Sequence, residues 1–130
     1  MEMLAILPDI DPSQTSELQV SCLKELDKIF IRSDIKDMTT DHYFYKGLRG
    51  KYADKKVYSI HFRFTYNNYS FCFDLAYDQL ECVIYQQEAI VYEINLEDFW
   101  EDTIFVQKFI TYLKKELIRL KIVSNENHNF

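Results

Sequence analysis

From residue 56 onward the chain adopts an apolar/polar period of two, and this feature constrains its fold more than any other. Tyr58, Ile60, Phe62, Phe64 and Tyr66 alternate with Val57, Ser59, His61, Arg63 and Thr65. That spacing predicts a strand with one buried face. Asn67-Asn68 follows as a two-residue turn, because Asn tolerates positive φ. Phe71, Phe73, Leu75 and Tyr77 then alternate with Cys72, Asp74 and Ala76, and Asp78-Gln79 offers the next turn. Leu80, Cys82 and Ile84 continue the apolar face, and Ile90, Tyr92 and Ile94 form a fourth strand. With these turns Phe62 faces Phe73, Ile60 faces Leu75, Leu75 faces Cys82 and Phe73 faces Ile84. The last connection must hold an odd number of residues, such as Gln86-Gln87-Glu88. A slip of one residue would turn Val91, Glu93 and Asn95 to the core.

Helical spacing brackets this meander. Asp11-Pro12-Ser13-Gln14 reads as a helix start, with Asp11 as cap and Gln14 closing a capping box. Leu18, Cys22, Leu23, Leu26, Ile29 and Phe30 supply an apolar stripe, which predicts a helix over 12–32. Asn95 reads as the cap of a long second helix carrying Phe99, Trp100, Ile104, Phe105, Phe109, Leu113, Leu117 and Leu120. Its acidic first turns and basic last turns suit the helix dipole. Residues 33–55 show no clear period and read as a long loop with a short strand or helical turn. The expected fold is therefore α+β: an N-terminal helix, a four-stranded antiparallel meander and a long C-terminal helix. Residues 1–130 form one domain on this reading, with 1–11 and 124–130 as poorly ordered ends.

Charge narrows the function. The formal net charge is −6. Residues 64–107 contain nine acids and no Lys, Arg or His. Such a segment gives one side of the molecule a negative field, which repels nucleic acid and attracts basic partners. No run approaches the length of a membrane-spanning helix. The N-terminus lacks the basic region of a secretory signal. Three cysteines, Cys22, Cys72 and Cys82, stand at no metal spacing and read as reduced thiols, so a cytoplasmic protein is expected.

Catalytic motifs are absent. There is no phosphate loop, no His-Glu-x-x-His and no Gly-x-Ser-x-Gly, and no cofactor or metal is expected. The sharpest polar constellation is His61 opposite Asp74, with Arg63 and Cys72 beside them. A base oriented by a carboxylate next to a thiol is one reading. An ordinary cross-strand ion pair is the better one, because nothing supplies an oxyanion hole. Asp41-His42 beside Tyr43 falls short of a metal site and reads as a solvated loop. The non-core sheet face would carry Cys72, Val83, Tyr85 and Val91 with Asp74, Glu81 and Glu93. It is too apolar to face only solvent, so either the helices or a partner must cover it. The expected partner surface comprises Asp74, Glu81, Tyr85, Glu88, Glu93, Tyr43 and Tyr45, since tyrosine anchors interfaces well.

Size, acidity and the helix–meander–helix order resemble the small immunity proteins of bacterial contact-dependent and other polymorphic toxin systems. No motif carries the resemblance, and no residue role is transferred from it. It implies a cytosolic, non-enzymatic protein that binds a cognate toxin, often a basic nuclease, and blocks its active site. Two other classes fit less of the chain: a regulator that mimics nucleic acid with its carboxylates, and a small-ligand or enzyme domain with a deep aromatic pocket.

Overall fold

In a computed structural model of the chain, residues 13–47, 52–77, 79–97 and 104–122 are described. They form α1 (Glu17–Ile29), a short 3-10 turn, five strands and α2 (Ile104–Arg119). The strands are β1 (Lys36–Lys46), β2 (Lys56–Tyr66), β3 (Tyr69–Leu75), β4 (Gln79–Gln86) and β5 (Ala89–Glu97). They lie in one antiparallel sheet in the order β1-β2-β3-β4-β5. The expected α+β class holds, but the sheet has five strands, because residues 36–46 are a strand and not a loop. The expected ends 1–11 and 124–130, the cap Asp11 and the apolar pair Phe99 and Trp100 lie outside the described residues.

The Asn67-Asn68 turn is as expected, with φ of 52° and 69°. Phe62 pairs with Phe73 and Ile60 with Leu75. The next connection comes one residue earlier than expected. Leu75 pairs with Leu80 and Phe73 with Cys82, not with Cys82 and Ile84. Ala76 donates its N–H to the Gln79 carbonyl at 2.9 Å, so the hairpin closes earlier and the pairing shifts by two. A shift of two leaves every side chain on its face. The last connection corrects a second expectation. It is a two-residue turn, Gln87-Glu88, with Gln86 paired to Ala89. Its even length would flip β5, but the register shifts between Ile84 and Tyr85, so that Ile84 meets Tyr92 and Cys82 meets Ile94. A β-bulge supplies the odd residue that the core requires.

Both helices pack on the apolar face. The Phe30 ring, just after α1, stands edge-on to Phe64, Tyr66 and Phe71 at centroid distances of 5.0–5.1 Å. Beneath it Phe62 stacks on Phe73 at 5.0 Å and Phe64 on Phe71 at 5.4 Å. From α2, Val106, Phe109, Ile110, Leu113 and Leu117 join the same core. Edge-on and offset aromatic pairs of this kind add to the burial of their area.

Helix α1 starts at Glu17, later than expected, because the capping box is Ser16 with Gln19. The Ser16 hydroxyl accepts the Gln19 N–H at 3.2 Å, and the Gln19 side-chain oxygen accepts the Ser16 N–H at 2.8 Å. The remaining amide end of Gln19 is fully buried and donates to the carbonyls of Tyr58 and Leu75, each at 2.9 Å. These carbonyls sit where β3 ends beside β2, so one side chain caps the helix and closes the ladder. Asn95 likewise is no cap: it lies within β5, and α2 begins at Ile104. At the other end of α2, Ile122 donates to the Leu117 carbonyl and Lys121 to that of Ile118, with Lys121 at φ 60°. That is a Schellman stop with lysine where glycine fits best.

Two changes test this account by urea unfolding. Replacing Gln19→Leu strands the buried Tyr58 carbonyl, removes a second bond to that of Leu75, and should cost about 2–3 kcal/mol. Replacing Lys121→Gly should stabilise by about 0.5–1 kcal/mol, since glycine adopts the left-handed position without strain.

Candidate functional site: the uncovered face of the sheet

Because the helices occupy the apolar face, no described helix residue joins the opposite one. The pairing aligns its side chains in rows. One row runs Asp41, His61, Asp74, Glu81, Asn95 across all five strands. The next runs Thr39, Arg63, Cys72, Val83, Glu93. Tyr43 pairs with Ser59 and Tyr85 with Ser70, so both tyrosines flank these rows. Of the expected partner-binding residues, Asp74, Glu81, Glu93, Tyr43, Tyr45 and Tyr85 share this face. Glu88 sits apart, in the exposed β4–β5 turn.

Asp74 is the hub. Its carboxylate accepts the Ser59 hydroxyl at 2.9 Å and the Tyr43 hydroxyl at 3.2 Å, and His61 Nδ1 lies 3.8 Å away. Ser59 is buried, although Asp74 itself stays partly open. Removal from water raises the Tyr43 hydroxyl, and the Asp74 charge adds to that rise. Directly opposite Asp74 stands a second carboxylate, Glu81. Partial burial pushes Glu81 above its ordinary range, and the Asp74, Glu93 and Glu97 charges push it further, against a smaller pull from His61. Asn95 donates to Glu81 at 3.3 Å and accepts from Gln79 at 3.3 Å. Like charges set opposite each other on a sheet oppose folding.

The His61–Asp74 pair stands as expected, but Cys72 faces Arg63 in the neighbouring row. Burial raises the Cys72 thiol, with Arg63 lowering it less, which opposes formation of a thiolate nucleophile. Cys22 and Cys82 are fully buried and also raised, chiefly by desolvation. Asp41 and His42 cannot share a metal, because neighbours on a strand point to opposite faces: Asp41 lies in the first row, whereas the His42 ring hydrogen-bonds Tyr58 on the core side. No group of three or more metal-ligating side chains occurs among the described residues.

The sequence reading missed part of this face. Arg63, Asp41, Thr65 and Ser70 line an open groove of about 650 Å³ beside the β1 bulge, where Thr65 reaches the Lys36 carbonyl at 3.2 Å. The groove is lined mostly by polar and charged residues, with Phe64 as its one apolar residue. Ser59 and Asn95 were not among the expected partner-binding residues. Strand parity already put both off the core face, but their bonds to Asp74 and Glu81 follow only from the three-dimensional pairing. Among the described residues no helix is long and apolar enough to cross a membrane. Comparison of the chain with protein families, with curated proteins and with solved structures gives no match.

The raised Glu81 carboxyl has a definite linkage sign. A carboxyl that holds its proton more tightly when folded destabilises the fold once both states are ionised. That penalty is complete above the raised folded value and disappears as pH falls through the unfolded value. Replacing Glu81→Gln should therefore raise the unfolding midpoint at neutral pH. The gain should fade on acidification through the ordinary glutamate range, as followed by thermal melts across pH.

Proposed function

We propose that the uncovered sheet face docks a basic protein partner, and that the chain is an immunity-type inhibitor of a cognate toxin. One observation carries the reading: a sheet face left open by the helices holds carboxylates in register, Asp74 against Glu81 with Glu93 nearby, at a cost to stability. Structural surfaces shed such repulsion, whereas binding surfaces retain it and lose it in the complex. A basic partner neutralises the acids and gains speed of association from their field. Tyr43 and Tyr85, at either end of the rows, supply flat amphipathic area of the kind that anchors interfaces. Val83 and Cys72 between them provide the apolar centre. The three free thiols suit a reducing compartment such as the cytoplasm.

Affinity capture from the source cells at low salt, repeated at high salt, tests the proposal. The expected product is one basic protein recovered in stoichiometric amount, toxic when expressed alone and harmless when co-expressed with this chain. The double variant Glu81→Lys, Glu93→Lys should keep its fold by circular dichroism. It should bind that protein at least about tenfold more weakly, mainly through slower association. Capture of many nucleic-acid-binding proteins that wash off in salt would favour a nucleic-acid mimic. No protein partner at either salt would remove both readings.

A further inference from the structure

Strand β1 is one edge of the sheet, and its outer side is unusually open to pairing. Gly47 donates its N–H to the Lys55 carbonyl at 2.8 Å, in continuation of the β1–β2 ladder. Hydrogen-bonded positions alternate along an antiparallel pair. Tyr45, Tyr43, Asp41 and Thr39 therefore direct their backbone groups toward β2, and Lys46, Phe44, His42 and Thr40 direct theirs outward. The register is regular from Thr39 to Lys46, and no proline interrupts it. Among the described residues, two of the six most exposed large apolar side chains lie here: Tyr43 at 41% on the open face and Phe44 at 45% on the helix side. The other edge is defended differently. Strand β5 carries a bulge and the acids Glu93 and Glu97, which oppose pairing with another strand.

We infer that β1 pairs antiparallel with β1 of a second copy of this chain, about a two-fold axis at Tyr43. This inference does not rest on the inhibitor reading. The side-chain order suits a second copy paired in this register. With the axis at Tyr43, all four outward residues are used: Thr40 pairs with Lys46 of the second copy and His42 with its Phe44. On the open face Tyr43 meets its own counterpart, and Asp41 meets Tyr45. No like charges oppose each other. An axis at Asp41 would set carboxylate against carboxylate and Lys36 against Lys46. An axis at His42 would oppose two imidazoles and send Lys46 to the irregular stretch at Met38. Pairing at Tyr43 also sets each exposed aromatic beside a side chain of the second copy and joins two acidic faces into one ten-stranded surface.

Sedimentation analysis of the full chain at sub-millimolar concentration should show a dimer. Thr40→Pro removes an outward N–H and breaks no β1–β2 hydrogen bond, so it should give a folded monomer. Phe44→Lys should do the same by placing a charge in the new pair, and it serves as a check should the proline variant fold poorly. Opposed positions of the Tyr43 type lie about 4.5 Å apart at Cα, within disulfide reach. In a Cys72→Ser background, Tyr43→Cys should cross-link to a covalent dimer on mild oxidation with diamide, and Thr39→Cys should not. A monomeric wild-type chain, a dimer that survives both edge variants, open-ended oligomers, or equal cross-linking at the two cysteine positions would each overturn the inference.

Discussion

Everything in this molecule depends on one face of β2, β3 and β4 being buried against two helices while the other meets no described helix. The stacked rings of Phe62, Phe64, Phe71 and Phe73 under Phe30 are the physical form of that constraint. Because side chains alternate, each connection must conserve parity or expel large aromatics from the core. The three connections after β2 do so in different ways: an Asn-Asn turn, an earlier turn that shifts the pairing by two, and a two-residue turn corrected by a bulge.

The same parity assembles the candidate site. Asp41, His61, Asp74, Glu81 and Asn95 come from five strands and share nothing in sequence, yet alternation places them in one row. The row is tolerated because Ser59 and Tyr43 donate to Asp74 and Asn95 donates to Glu81. These bonds hold the carboxylates without neutralising them. The charge is thus positioned rather than relieved, which suits a surface meant to meet opposite charge.

Gln19 shows how closely the helices depend on this arrangement. Its side chain closes the capping box of α1 and also satisfies two carbonyls at the open end of the β2–β3 ladder. The start of the helix is therefore set by the sheet. Asp11-Pro12 carries a good local start signal, but Ser16 and Gln19 answer both the helix and the sheet. Local propensity yields when a long-range bond satisfies a buried group that would otherwise be stranded.

Strand β1 shows the opposite limit. Lys36–Lys46 is exposed along most of its length, so selection for burial left no alternation to read, and only the Thr-Thr and Tyr-Phe-Tyr runs hinted at a strand. The sequence by itself determined the elements whose faces must be buried: α1, the β2–β3 hairpin with its register, the two strands after it, the stripe of α2 and the base-free acidic segment. Those signals are local, because burial of one face imprints a period on the residues that provide it. Only the tertiary structure decided the fifth strand, the bulge at β5, the true helix caps and which sheet face stays open. Each of these depends on groups far apart in the chain meeting in space, and no period along the sequence records such a meeting.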